Sequence, residues 1–486
     1  MPVVQSKVST TRRPVFRAIV LLATLLSGTA CSSLNAVKNE LIGGGAPPDG
    51  PERLSGFIGA VVADEPRAAL AGREVLALGG NAADAAVAVG FTLAVTLPSR
   101  AGLGSGGACL AYAPDRNGPG QGSPEAVLFT PVAAQGTPAG ADRPAAVPML
   151  PRGLFALHAR YGSRPFDGLL AAPEQMARFG VPVSRALVRD IALVAGPLSQ
   201  DPNARAVFTP GGRPLAEGDT LQQPDLGASI SAFRVAGVGD LYQGALARKL
   251  QDASRLAGGP LTVAEMRAAL PKVGGPLVVP AGRDQAAFLP PPADGGLAAA
   301  AALQSLQAAP NDMAAAQARA AGALLRWRAG GGDPRAILAA APSGGSLPAM
   351  PASTAFTVLD RNGNAVTCAL TMDNLFGTGR IAPGTGILLA ASPSTYGLPM
   401  LAAGLVWNSN VHAFRAMAGG SGQDGAALAV AVALNNALRS NRVMPVPVPE
   451  PGRANVTACS RYLPDSDGTC GWAVDPREAG LAAAGN

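Results

Sequence analysis

The sequence predicts a mixed α+β protein, and three stretches carry that expectation. Residues 66–96 read as two successive helices, residues 108–112 as an apolar strand, and residues 355–371 as a β-hairpin. Pro66 suits the first helical turn, where a missing N–H costs nothing, and Gly79-Gly80 stop that helix. Asn81 can cap the second helix, which Pro98 ends. Residues 82–96 are almost wholly apolar, so this helix must be buried. The glycine-rich loop at residues 99–107 (SRAGLGSGG) leads into the strand; its glycines supply positive φ angles and let backbone approach closely. It runs from helix to strand, the wrong order for a P-loop or a dinucleotide-binding turn. Residues 148–303 mix helical stretches with turns, and the rigid loop at 289–296 (LPPPADGG) precedes an alanine-rich helix from Leu297. Residues 312–329 are helical in pattern, Gly330-Gly331-Gly332 break them, and residues 341–352 (APSGGSLPAMPA) read as a flexible linker. The hairpin follows at once, with its turn at Asn362-Gly363. A long linker feeding directly into a central hairpin makes mechanical sense if the chain is cut there, leaving Ser353 as a new N-terminus at the edge of the sheet.

Composition narrows the function. Hydrophobic residues make up 48% and charged residues 14% of 486, which suits one large fold or several domains with a sizeable core. The formal charge of +6 is mostly an N-terminal feature: Lys7, Arg12, Arg13 and Arg17 account for four of it, leaving about +2. No basic stripe interleaved with aromatics remains, so nucleic acid is not an expected partner. The two histidines, His158 and His412, sit in unrelated contexts, which argues against a His-dependent metal site and against a Ser-His-Asp triad. No metal and no cofactor is expected. Any nucleophile must find its base elsewhere.

Residues 1–30 have the form of an export signal: basic residues, an apolar run at 18–26, then Ser27-Gly28-Thr29-Ala30 before Cys31. The run is too short to span a bilayer comfortably. It resembles a bacterial lipoprotein signal, with Gly28 where such signals usually carry Leu. Cleavage before Cys31 would expose that residue for lipidation; ordinary secretion with Cys31 inert is the alternative. Ser32 at the next position favours the outer membrane, so the expected location is the periplasm, lipid-anchored. Residues 31–52 read as a tether rich in Gly, Pro and Asn. In such a compartment a disulfide joining Cys459 to Cys470 is expected, whereas Cys109 and Cys368, in apolar runs, read as small core residues.

The segment Gly79-Gly80-Asn81-Ala82-Ala83-Asp84-Ala85-Ala86-Val87-Ala88 is similar to a signature of the γ-glutamyltranspeptidases. The loops at 102–107 and 289–296, Gly363-Asn364-Ala365-Val366, Phe376-Gly377-Thr378-Gly379, residues 383–389 and Asp475-Pro476-Arg477 follow in the family's order. The resemblance covers residue 53 to the end. It implies a four-layer αββα sandwich of the N-terminal-nucleophile hydrolase type, made as one chain and self-cleaved into two subunits that stay together. Counting back from Asp360 places the nucleophile at Ser353, where the family has Thr, and the cut between Ala352 and Ser353. The regions are then 53–352 for the large subunit and 353–486 for the small one. The freed α-amino group, with its near-neutral pKa, would serve as base. By the same resemblance Thr371 supports the nucleophile, Gly422 and Gln423 supply oxyanion N–H groups, and Thr354, Asp373 and Asn374 face substrate. A plain strand-start role for Ser353 is the competing reading.

The resemblance fails where the family grips its substrate. The cation that clamps the glutamyl α-carboxylate corresponds to Thr130, and a hydroxyl cannot replace a bidentate guanidinium. Residues 390–399 (AASPSTYGLP) hold no acid for the α-amino group, and the paired serines near Pro399-Met400 are absent. Three readings follow. The chain is an autoprocessing amide hydrolase or acyltransferase with altered acyl specificity, or a catalytically silent relative acting as an envelope binding or scaffold lipoprotein. The third is an unrelated exported hydrolase.

Overall fold

The computed structural model describes residues 53–136, 141–346, 352–440, 443–444, 446–477 and 479–485. The export signal, the tether with Cys31 and linker residues 347–351 lie outside them. In chain order the sandwich is built from β1 (Gly59–Ala63), α1 (Pro66–Ala77), α2 (Ala82–Thr96), β2 (Gly106–Tyr112), β3 (Glu125–Phe129), β4 (Lys272–Gly274), β5 (Leu277–Ala281) and β6 (Asp284–Phe288). It continues with α3 (Gly295–Ala308), α4 (Met313–Gly330), β7 (Ser353–Asp360), β8 (Ala365–Thr371), β9 (Ala402–Asn408) and β10 (Ala413–Ser421). The last elements are α5 (Ala426–Ser440), β11 (Arg453–Leu463), β12 (Cys470–Ala473) and β13 (Leu481–Gly485).

One sheet has the order β13-β1-β7-β8-β2-β3-β4 and the other β12-β11-β10-β9-β6-β5. Ala355, Leu359, Ala369, Leu405 and Met417 pack between the two sheets. A second apolar layer fills the space between the first sheet and α1 and α2, and a third lies between the second sheet and the helices α3 and α5. Three apolar layers separating four layers of backbone is the αββα sandwich.

The helices form for the reasons their ends suggest. Asn81 Oδ1 accepts the N–H groups of Ala83 and Asp84, each at 3.0 Å, while Asp84 Oδ2 accepts the N–H of Asn81 at 3.0 Å. That reciprocal cap starts α2, whose fifteen residues are all buried. Asp84 is a satisfied buried acid, since Ser163 donates to it from both N–H and hydroxyl. In the glycine-rich loop, close approach rather than positive φ is the requirement. A Cβ at Gly104 would stand 2.2 Å from the Leu388 carbonyl oxygen, and one at Gly106 2.6 Å from that of Phe129, yet neither residue has a positive φ.

The cysteines correct part of the expectation. Cys459 and Cys470 are joined, bridging β11 to β12. Cys109 and Cys368 are fully buried but are not free thiols; they too are joined, directly across the β2–β8 pair. Apolar surroundings reveal burial but not a partner 259 residues away. The adjacency comes from the sheet order, in which β8 lies beside β2.

Candidate active site

The site lies where the two sheets meet at the start of β7. Ser353 opens that strand, paired with Thr371 at the end of β8, which pairs in turn with Gly106 of β2. The Ser353 side chain is directed toward the second sheet, where Gly422, just past β10, donates its N–H to Ser353 Oγ at 3.0 Å. Gly422 has φ +82°, and a Cβ there would stand 2.0 Å from the Pro451 carbonyl oxygen. Only glycine can bring that N–H to the hydroxyl. Gln423 begins the short turn that precedes α5, and Gly425 N–H closes it onto the Gly422 carbonyl at 3.0 Å.

Thr371 ties Ala352, the residue before Ser353, to the same point. Its hydroxyl donates to the Ala352 carbonyl oxygen at 3.1 Å and accepts the N–H of Asp373 at 2.8 Å. The Ala352 carbonyl, which precedes Ser353, thus already carries a hydrogen bond on its oxygen. Ser353, Thr371, Ala352, Gly422 and Asp373 come together.

Asp373 is 3% exposed, has φ +62° and leaves its Oδ2 buried without a hydrogen-bond partner. Burial pushes its carboxyl up to about 7, opposed by the Arg328 guanidinium. A left-handed non-glycine backbone combined with an unpaired buried acid is a costly arrangement of the kind found at functional sites. Arg328 comes from α4 and had no signal in the sequence. It donates to both Asp294 oxygens, at 2.8 and 3.2 Å, and to the Leu398 carbonyl at 2.6 Å.

One expected substrate contact, Thr354, is placed elsewhere. Thr354 is fully buried and turned away, its hydroxyl donating to Asp64 Oδ2 at 2.8 Å. The reason is strand alternation: neighbouring residues face opposite sides, so Ser353 and Thr354 cannot both reach substrate. Asp64 also accepts the Ala355 N–H at 3.1 Å and the Asn455 amide at 2.7 Å, clamping the backbone just after Ser353. Asn374 spends its amide within its own turn, 3.5 Å from the Gly377 carbonyl. Thr130, which stands where a clamping cation was sought, directly follows β3. His158 and His412 bond the carbonyls of Arg164 and Gly122 and take no part in the site.

A family model described as Gamma-glutamyltranspeptidase matches residues 68–327. The chain belongs to the gamma-glutamyltranspeptidase family. Glutathione hydrolase proenzyme of Escherichia coli (strain K12) is 27% identical over 435 residues, spanning 78% of this chain and 73% of that protein. Acylase ACY 1 proenzyme of Pseudomonas sp. (strain SE83) is 33% identical over 228 residues, 44% of this chain and 41% of the acylase. Among solved structures, a cephalosporin acylase from Bacillus halodurans superposes with a TM-score of 0.69 at 19% identity, covering 91% of this chain and 98% of that one, a likeness of fold. As a member of that family the chain is an enzyme of the gamma-glutamyltranspeptidase kind.

Proposed function

We propose that the chain cuts itself between Ala352 and Ser353 and then uses Ser353 as the nucleophile of an amide hydrolase or acyltransferase. The observation supporting this is the convergence of four groups in two hydrogen bonds: Gly422 N–H to the Ser353 hydroxyl, and the Thr371 hydroxyl to the Ala352 carbonyl. In the first step Ser353 Oγ bonds to the Ala352 carbonyl carbon, the Ala352–Ser353 C–N bond breaks, and the hydroxyl proton ends on the Ser353 nitrogen. Thr371 donates to the oxygen that gains charge as the tetrahedral centre forms. Water then cleaves the ester, leaving a carboxylate on Ala352 and a free α-amino group on Ser353.

That amine, with an ordinary pKa of about 7.7–8.0, takes the hydroxyl proton as Ser353 attacks a substrate amide. The substrate C–N bond breaks, the proton passes to the departing amine, and the acyl group stays on Ser353 Oγ. Water completes hydrolysis, or a second amine completes transfer. The cut protein is then a heterodimer of residues up to 352 with residues 353–486. We place it outside the cytoplasm, lipid-anchored through Cys31. Glutathione is an acyl donor for the relative from Escherichia coli by its name; here Thr130 offers no charge to a glutamyl carboxylate.

N-terminal sequencing and mass analysis of purified protein test the reading. A fragment beginning Ser-Thr-Ala-Phe is expected, and Ser353→Ala should yield one intact chain. A wild-type chain that stays whole would sink the proposal and leave the envelope scaffold. Labelling with a radioactive fatty acid should mark the wild type and not Cys31→Ser; equal labelling would remove the anchor.

A further inference from the structure

Between α3, α4 and α5 lies a cavity of about 270 Å³, close to the lower edge of the roughly 300–1,000 Å³ typical of small-molecule sites. Its walls combine small and apolar residues, among them Ala298, Leu324 and Met400, with the polar Gln317, Ser346 and Asp424. Alanines from separate helices, Ala298, Ala318 and Ala427, leave space beside the longer Leu324, Met400 and Leu428.

One end of the cavity is made of residues that flank the nucleophile. Asp424 lines it and stands two residues beyond Gly422, whose N–H contacts Ser353 Oγ. Met400 stands two residues before Ala402, whose partner Gly420 stands two residues before Gly422. Gly295 joins the same end, packed so tightly on the carbonyls of Met400 and Leu401 that a Cβ would meet them at 2.6 and 2.5 Å.

The charges at this end are acidic. Asp424 leaves Oδ1 buried without a hydrogen-bond partner, as Asp373 does Oδ2. Burial raises both carboxyls, and neither offers a positive charge to a carboxylate. Arg328 is already matched by Asp294, and Arg453, cross-strand from Ser421, by Glu450 at 2.6 Å. A carboxylate on the acyl group would therefore lose water and meet acids.

We infer that this cavity holds the acyl chain of the substrate and that the acyl donor is an amide of an uncharged, mainly aliphatic acid. The inference rests on Ser353 as the acyl-accepting nucleophile. The amide carbon stands at Ser353 Oγ, the chain runs past Met400 between α4 and α5, and the amine leaves on the opposite side. Bond making and breaking are those given above, with an alkyl group on the carbonyl carbon.

The experiment uses the purified full chain, its cut verified by mass, with p-nitroanilides of acetic, butyric, hexanoic, glutaric and γ-glutamic acids. The expected result is kcat/KM rising at least about tenfold from acetyl to hexanoyl, with both carboxylate-bearing donors below hexanoyl. Ala314→Leu and Ala318→Leu, which add bulk to the cavity wall, should lower the ratio of hexanoyl to acetyl turnover by about tenfold. Retained self-cleavage shows that a variant has folded. A profile indifferent to chain length, a preference for γ-glutamyl, or a hexanoyl-to-acetyl ratio unchanged in both variants overturns the inference while the cut stands. A chain that never cuts overturns the reading beneath it and this one together.

Discussion

Asp373 allows a quantitative test of the site's electrostatics. Its carboxyl, 3% exposed, is pushed up to about 7 from an ordinary value of 3.8. A carboxyl whose folded pKa lies above its unfolded one supports folding fully only below the unfolded value. That support is lost as pH rises through the folded value. A gap of about three pH units corresponds to about 4 kcal/mol of destabilisation once both states ionise, at 1.36 kcal/mol per unit. Between about pH 5 and about pH 8 the wild type should lose roughly 2.5 kcal/mol from this group alone. Asp373→Asn cannot ionise and should be free of that loss. Urea unfolding followed by circular dichroism, in a Ser353→Ala background so that every sample is one chain, measures it. The variant should gain on the parent by that amount as pH rises. Parallel stability–pH curves for the two proteins would refute the assignment of a buried, unpaired acid.

Two further perturbations test the geometry around the nucleophile. Thr371→Val removes the hydroxyl from the Ala352 carbonyl at nearly constant shape; the rate of self-cleavage, followed by gel after synthesis, should fall by about 10²-fold or more, and an unchanged rate would exclude Thr371 from the step. Asp64→Ala strips partners from the Thr354 hydroxyl, the Ala355 N–H and the Asn455 amide, all buried. Unfolding should show a loss of at least about 3 kcal/mol, and a loss below about 1 kcal/mol would show that the clamp does not bear on the fold.

The elements most readable in the sequence are those whose causes are local. Asn81, Asp84 and Pro98 bound α2 because caps and proline act over a few residues, and the Asn362-Gly363 turn fixes the β7–β8 hairpin for the same reason. Ser353 was reachable by counting back along that hairpin. Thr354 was also readable in principle, since period-two alternation turns it away from its neighbour; motif correspondence obscured this. Asp64, Arg328 and Asp424 left no trace, because each meets the site through a separate element and none belongs to a patterned run. The Cys109–Cys368 bond was hidden similarly: its two halves become neighbours only when β8 docks on β2.

The strand order has a consequence for what a cut after Ala352 would produce. In the first sheet β1 lies between β13 and β7, and β8 lies against β2, so segments from before and after the cut alternate across its middle. In the second, β9 from after the cut adjoins β6 from before it. The two polypeptides would be threaded through one another's hydrogen-bond ladders, with no pair of prefolded surfaces to pull apart. Parting them would mean unravelling both sheets. Scission would change the number of chain ends while leaving a single cooperative body, and neither piece, made alone, would have a complete sheet on which to fold.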